Sequence, residues 1–106
     1  MTGPIFDTHA HYGAHAFDAD RFALLDSLPA KGVVGVCEQA THSGDAPRVL
    51  ELAHRYPWVV AAIGIHPESL LAPEDCGADG PAPTVSVYGG DWAAEMRALA
   101  PYYDDP

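Results

Sequence analysis

The sequence has few basic residues and no long apolar run. Lysine and arginine together number 5 against 15 acidic residues, and Lys31 is the only lysine. The net charge of -10 repels polyanions, so adhesion to nucleic acid is disfavoured unless bound cations reverse the local field. No apolar run approaches the roughly 20 residues that span a bilayer, so we expect no membrane partner.

Cysteine is also scarce, and a secretory signal is missing. Residues 1–4 lack the basic start and the apolar stretch of such a signal, and Cys37 and Cys76 lie far apart in dissimilar surroundings. We therefore expect a cytoplasmic protein with reduced thiols. With 48% apolar residues, the 106-residue chain is predicted to form a single domain, 1–106, around one core.

Short apolar runs alternate with helical patterns. The predicted strands are residues 5–7, 33–37 and 58–65. The second and third are continuous apolar runs, which is typical of strands buried on both faces of a parallel sheet. Alternation at this period predicts βαβ units, and therefore an α/β fold with parallel strands.

Three helices are expected around these strands. Asp18 is predicted to cap the first, Pro47 to lie in the first turn of the second, and Asp91 to cap the third. Apolar side chains at helical spacing are expected to face the core. They are Phe22, Leu25 and Leu28, then Val49, Leu52, Ala53 and Tyr56, then Trp92, Met96 and Leu99.

Residues 67–91 form a long connection rich in Pro, Gly, Ala and Asp, interrupted only by "TVSVY" at 84–88. Connections of this length are usually functional or mobile. We expect a loop over the open end of the sheet that could carry a short hairpin arm, and a disordered insertion is the alternative.

Polar residues follow each predicted strand. Asp7, His9 and His11 follow the first, Glu38 the second and His66 the third. Chemistry in parallel α/β proteins collects at the carboxyl ends of the strands, so we expect these residues at one edge of the sheet.

His9 and His11 are the strongest candidates for a metal site. Side chains two residues apart on a strand project to one side, so both rings can offer nitrogen to one cation, a geometry suited to zinc, manganese or iron. Asp7 projects to that side too, and could hold the second nitrogen of a ligand histidine or steady the turn. The alternative is a solvated loop, because six histidines make an accidental pair plausible.

His66 lies in "GIHP", residues 64–67, where glycine allows close backbone approach and proline fixes the exit from the strand. We interpret it as a donor to a substrate oxyanion, or alternatively as a cap on the strand end. Glu38 is either a carboxylate ligand or an exposed acid. The other histidines, His15, His42 and His54, are expected on the solvated surface.

Three segments together resemble the N-terminal part of the TatD family of metal-dependent deoxyribonucleases, within the amidohydrolase superfamily. They are "IFDTHAHYG", "FDADRFALLDSLPAKGVVGV" and "LELAHRYPWVVAAIGIHPE", which lie within residues 5–70. The resemblance implies a partial (β/α)8 barrel, here about three of its eight units. It also implies hydrolysis of phosphodiester bonds of DNA, with DNA as the partner.

The resemblance assigns roles to individual residues. His9 and His11 match metal ligands, and His66 matches a histidine that faces the substrate phosphate. The implied cofactor is a divalent ion, namely magnesium, manganese or zinc, with one or two per complete site. Asp7 and His66 are the candidates for catalytic roles.

The chain departs from the family pattern at several positions. It has Gly13 where many members have aspartate, and Glu38 makes the end of the second strand unusually polar. The family's later Gly-Glu-x-Gly-Leu-Asp strand, two further histidines and an aspartate are missing. We therefore expect a truncated hydrolase of reduced activity. The alternatives are a non-catalytic remnant, which could oligomerise through open sheet edges, and another amidohydrolase-type enzyme.

Overall fold

Strands and helices alternate in the computed structural model, in which residues 3–70 and 91–105 are described. The strands are β1 (Ile5–Ala10), β2 (Val33–Gln39) and β3 (Val59–Ala62). The α-helices are α1 (Arg21–Ser27), α2 (Ala46–Arg55) and α3 (Trp92–Leu99). Short 3-10 helices span His15–Phe17, Pro29–Lys31, Pro67–Leu70 and Ala100–Asp104.

The three strands form one parallel sheet in the order β1-β2-β3. Each strand pairs with the next one in sequence and a helix lies between them in the chain, as in successive units of a (β/α)8 barrel. The predicted α/β fold with parallel strands is therefore confirmed. The carboxyl ends of the strands, at Ala10, Gln39 and Ala62, lie at one edge of the sheet because the strands share a direction.

The core lies on one face of the sheet, against α1 and α2. Its buried members are Ala10, Leu25, Leu28, Val36, Leu52, Tyr56 and Val59. The core positions predicted in these two helices are confirmed, since Leu25 and Leu52 are each 1% exposed. Burying one such leucine stabilises the fold by about 1.5–3 kcal/mol, so these contacts hold the helices on the sheet.

The opposite face of the sheet is open in the described part of the chain. Phe6 is 52% exposed and Val60 51% exposed. Both lie at register positions that alternate with the buried pair Val36 and Val59. The prediction that the second and third strands are buried on both faces is therefore wrong, because Val34 and Val60 are exposed in the part of the chain that the structure describes.

The start of α1 differs from the sequence prediction. Asp20 precedes the helix, and the Asp18 carboxylate instead accepts a hydrogen bond from the Arg21 guanidinium at 2.6 Å. Asp18 is thus not the cap. The guanidinium also places the pKa of Asp18 below its ordinary value, mainly through this hydrogen bond.

The capping of α3 was predicted correctly, but its buried face was not. The Asp91 carboxylate accepts hydrogen bonds from the backbone N–H groups of the second and third helical residues. Trp92 and Met96 are exposed, whereas Glu95 and Leu99 are each 0% exposed. The expected stripe of Trp92, Met96 and Leu99 is therefore wrong except at Leu99.

The described residues divide into two compact units. Residues up to Gln39 together with Arg48–Ala62 make one unit, and Ala40–Pro47 with the described residues from Ile63 onward make the other. The single domain 1–106 stays a prediction. Of the 67–91 connection, Pro67–Leu70 is helical, and the hairpin predicted at 84–88 lies outside the described residues. None of the described helices is long and apolar enough to cross a bilayer.

Gly32 provides a test of the turn that leads into β2. It is the one described residue with a positive φ, 94°, and a Cβ there would meet no atom within 4 Å. We expect Gly32→Ala to lower the free energy of unfolding by about 1–2 kcal/mol through backbone strain alone. Urea denaturation followed by circular dichroism measures this.

Gly64→Ala is the matched control for that substitution. A Cβ on Gly64 also meets nothing within 4 Å, and its φ is not in the left-handed region. Its free energy of unfolding should change by less than about 0.5 kcal/mol. Equal effects of the two substitutions would contradict the assignment of strain to Gly32.

Candidate metal centre

His9 and His11 converge at the carboxyl end of β1. Their Nε2 atoms lie 3.2 Å apart, with the ring planes at 72°. Two nitrogens that each lie about 2.0–2.1 Å from one zinc ion are separated by about 3.0–3.4 Å, depending on the angle at the metal. The structure therefore brings these two side chains together at the spacing that a shared cation requires. We call them the His9/His11 pair.

The second ring nitrogen of His11 is held by β2. Its Nδ1 lies 3.1 Å from the Gln39 carbonyl oxygen. Because a carbonyl only accepts, Nδ1 carries the hydrogen, and the Nε2 of the same ring keeps its lone pair. A shared cation would take the place of the hydrogen between the two Nε2 atoms, with the His9 hydrogen then on its Nδ1. A backbone carbonyl behind a ligand histidine fixes its tautomer and its ring orientation.

Asp7 supports the backbone of the pair. Its Oδ1 accepts a hydrogen bond from the His9 backbone N–H at 3.1 Å. Of the two roles considered for Asp7, the structure shows the local backbone contact, whereas the second ring nitrogen of His11 contacts the Gln39 carbonyl. Asp7 thus fixes the backbone of β1 at His9.

Glu38 is buried beneath the loop that follows the pair. It is 1% exposed, and its two carboxylate oxygens accept hydrogen bonds from the backbone N–H groups of Tyr12 at 2.8 Å and Gly13 at 2.6 Å. Of the two alternatives for Glu38, the exposed acid is therefore wrong. Burial raises the pKa of the Glu38 carboxyl, and outweighs the hydrogen bonds from Gly13 and Tyr12 that lower it.

Arg21 holds the same loop from its other side. It is 4% exposed, and its guanidinium donates to the carbonyl oxygens of Tyr12, Gly13 and Ala14 at 2.6, 3.1 and 2.8 Å. Sequence reasoning missed this residue. Its position in the sequence did contain a signal. A cation in the first turn of a helix interacts unfavourably with the helix dipole, which indicates that Arg21 is needed there for another contact.

His66 lies in the second compact unit. Its backbone N–H donates to the Thr41 carbonyl at 2.7 Å, and its own carbonyl accepts from the Ser69 N–H at 2.9 Å. Ser69 also donates through its hydroxyl to Thr41, at 2.9 Å. The backbone around His66 is thus fixed on both sides, and its role stays a prediction.

The other histidines divide between surface and interior. His15 and His54 are exposed, as expected. His42 is 7% exposed, so the prediction of a surface position is wrong. Hydrogen bonds within its own turn hold it. Its Nδ1 accepts from the Gly44 N–H at 2.8 Å, and the Asp45 carboxylate accepts from its backbone at 3.1 Å.

The donor set of the His9/His11 pair fits part of a divalent metal site. Zinc sites use three or four protein donors, and the pair supplies two imidazole nitrogens. In residues 3–70 and 91–105, no group of three or more His, Cys, Asp or Glu residues is arranged to hold a metal ion. The pair can therefore bind one side of a cation and leave its other positions for water, substrate or further ligands.

Comparison with known proteins identifies a family. The model of the TatD related DNase family matches residues 6–95. The deoxyribonuclease TATDN3 of Homo sapiens is 35% identical over 72 residues, which cover 67% of this chain and 26% of the human protein. The recognition made from the sequence is thereby confirmed.

Bacterial relatives match the same family. The uncharacterized metal-dependent hydrolase YjjV of Escherichia coli (strain K12) is 38% identical over 64 residues, covering 60% of this chain and 25% of its own length. The uncharacterized metal-dependent hydrolase YabD of Bacillus subtilis (strain 168) is 32% identical over 63 residues, covering 59% and 25%. The chain thus spans about a quarter of the length of the curated relatives it matches.

The buried carboxyl of Glu38 leads to a pH prediction. We expect it to titrate above its ordinary pKa of 4.5, because burial disfavours the charged form. Because the pKa is higher in the folded state, protonation of Glu38 stabilises the fold. This contribution to the free energy of unfolding is complete below the pKa of the unfolded state, and it is lost as the pH rises through the pKa of the folded state. Carbon NMR of the side-chain carboxyls measures the titration directly.

Two substitutions separate this effect from the other acids. In the wild type, stability should fall as the pH rises through the raised pKa of Glu38, and Glu38→Gln should abolish this fall. Urea midpoints at several pH values measure it. Glu51→Gln changes an exposed partner of Arg48 on α2 and should retain it. A Glu38 midpoint at or below 4.5 would contradict the prediction.

Proposed function

Because this chain belongs to the TatD related DNase family, we propose that it is part of a metal-dependent hydrolase that cleaves phosphodiester bonds of DNA. The observation that carries the proposal is the convergence of the His9/His11 pair, with Nε2 atoms 3.2 Å apart. The names of the relatives support it, since one is a deoxyribonuclease and two are metal-dependent hydrolases.

The proposed roles of the pair follow from its contacts. His9 and His11 bind the cation, and the Gln39 carbonyl keeps the His11 Nε2 lone pair available for it. Asp7 acts through the backbone of His9, whose N–H it accepts. When bound, a divalent ion supplies Lewis acidity and lowers the pKa of a water molecule towards neutrality.

His66 is proposed to donate a hydrogen bond to a phosphate oxygen of the substrate. The support is its position in "GIHP" after β3 and the backbone contacts to Thr41 and Ser69 that fix it. A donor on a fixed backbone stabilises developing charge without reorganising during the reaction.

The proposed ion is magnesium, manganese or zinc, with one or two per complete site. Imidazole suits zinc, whereas magnesium prefers oxygen ligands. Among the three, the two nitrogen donors of the pair favour zinc. A bound cation would also offset the repulsion between DNA and a chain of net charge -10.

A nuclease assay on the chain tests the proposal. We expect cleavage of fluorescent DNA in the presence of zinc, manganese or magnesium, and a loss of at least about tenfold in rate for His9→Ala and for His11→Ala, because each removes a ligand. His66→Ala should lower the rate with metal affinity unchanged, since it is placed on the substrate rather than on the ion.

His54→Ala is the control, because it removes an exposed histidine of α2 and should leave the rate unchanged. Absence of cleavage with every metal would contradict activity of this chain and favour the non-catalytic remnant. Cleavage that survives both His9→Ala and His11→Ala would contradict the placement of the ion. Hydrolysis of amides or lactones without DNA cleavage would favour another amidohydrolase-type enzyme.

We also propose that the chain associates with itself through its sheet. The described sheet has two edge strands, β1 and β3, and unpaired backbone groups on such edges pair readily with other strands. Phe6 and Val60 add exposed apolar surface on one face. Removing that apolar surface from water would favour binding of a second copy of the chain.

Light scattering after size exclusion tests this association. We expect a mass above that of one chain, and Val60→Lys should lower it by placing a charge on the open face. Trp92→Lys changes another exposed apolar residue, 64% exposed on α3, and should leave the mass unchanged. A monomer at every concentration would contradict the proposal.

A cytoplasmic location is proposed from cysteine chemistry. Cys37 is a free thiol that accepts a contact from the Gln39 side-chain amide at 3.3 Å, and free thiols are typical of reducing compartments. Fractionation of cells that express the tagged protein tests this location. Recovery outside the cytoplasm would contradict it.

A further inference from the structure

We propose that Glu38 and Arg21 are positioning residues for the His9/His11 pair, which they act on by fixing the loop that follows it. This inference rests on the proposed function only in taking the pair as metal ligands. The loop consists of residues 12–14, and we call it the 12–14 loop. All of these residues belong to the first compact unit.

Every backbone polar group of the 12–14 loop has a partner. The N–H groups of Tyr12 and Gly13 donate to Glu38, and the N–H of Ala14 donates to the His11 carbonyl at 3.1 Å. All three carbonyl oxygens accept from Arg21. Two side chains thus make five of the hydrogen bonds of this loop, from opposite sides.

This arrangement is costly for a connection that only has to turn the chain. Glu38 and Arg21 are 1% and 4% exposed, and burying ionised groups carries a large desolvation cost. Water could satisfy the same peptide groups in an exposed turn. What the two buried charges add is a fixed position for the loop, because each of them binds more than one peptide group.

Glu38 and Gln39 together hold His11 at two points. The Gln39 carbonyl binds the imidazole Nδ1, while the Glu38 carboxylate binds the peptide N–H that immediately follows His11. Adjacent residues of β2 thereby fix both the ring and the backbone of His11. Outer contacts of this kind typically change metal affinity by about 10–100-fold when removed.

Gly13 shows how closely the loop fits. A Cβ there would lie 3.0 Å from Arg48 Cγ and 3.2 Å from Glu38 Oε2. The absence of a side chain lets the carboxylate approach the backbone at 2.6 Å. The position of the loop is therefore set by contact on the Glu38 side as well as by hydrogen bonds.

Zinc titration of the complete chain by calorimetry, with imidazole nitrogen NMR before zinc is added, tests the inference. We expect Glu38→Gln and Arg21→Lys to weaken zinc binding by about tenfold or more, since each variant loses part of its contacts with the loop. The nitrogen shifts of His9 and His11 should move in the same two variants without metal. Circular dichroism establishes that each variant is folded.

Tyr56→Phe is the matched control. It removes a part-buried hydrogen bond, from the Tyr56 hydroxyl to Asp26 at 2.8 Å, and should lower stability by about 1 kcal/mol with zinc affinity within twofold of the wild type. If Glu38→Gln does not fold, Arg21→Lys decides the test, because lysine keeps the charge and can still reach one carbonyl.

The outcomes separate the two proposals. Variants that lower stability but leave both the zinc affinity and the imidazole shifts of the wild type would overturn the positioning role and leave the proposed function intact. If the wild-type chain binds no zinc, manganese or magnesium, the metal site is contradicted. If the imidazole shifts of Glu38→Gln and Arg21→Lys still differ from those of the wild type, the positioning role is supported.

Discussion

The parallel pairing of β1 with β2 is the constraint on which the candidate centre depends. Ala10 pairs with Glu38 in the register of the two strands, and this brings the end of β2 beside the two histidines. One backbone carbonyl of β2 then orients an imidazole, and the neighbouring carboxylate reaches under the next turn. Shifting the register by one residue would turn Glu38 towards the open face and remove both contacts at once.

The parts of the fold that were predictable from sequence depend on local periodicity. The alternation of strands and helices and the buried faces of α1 and α2 follow from apolar spacing, and the two histidines two residues apart converge because side chains alternate along a strand. Periodicity failed at α3, where Glu95 is buried and Met96 is exposed. An apolar stripe shows which face a helix could bury, but the partner that it meets decides which face it does bury.

The contacts around Glu38 and Arg21 could not be predicted from local patterns. The two residues lie 25 and 8 positions from Gly13 in sequence, so no window of helical or strand length contains them together. Their roles depend on where the sheet register and the start of α1 place them. His42 was misjudged for a related reason, since its burial follows from a turn organised by the Asp45 carboxylate.

The two departures from the family pattern have one structural explanation. Gly13 replaces the aspartate found in many members, and the space beside its Cα contains the carboxylate of Glu38, which departs from the usual small residue at the end of β2. An acid at position 13 would place a second carboxylate beside that of Glu38, because the Cβ position of residue 13 lies 3.2 Å from Glu38 Oε2. Two like charges at such a separation repel each other, so the space beside residue 13 suits one carboxylate, and in this chain Glu38 supplies it.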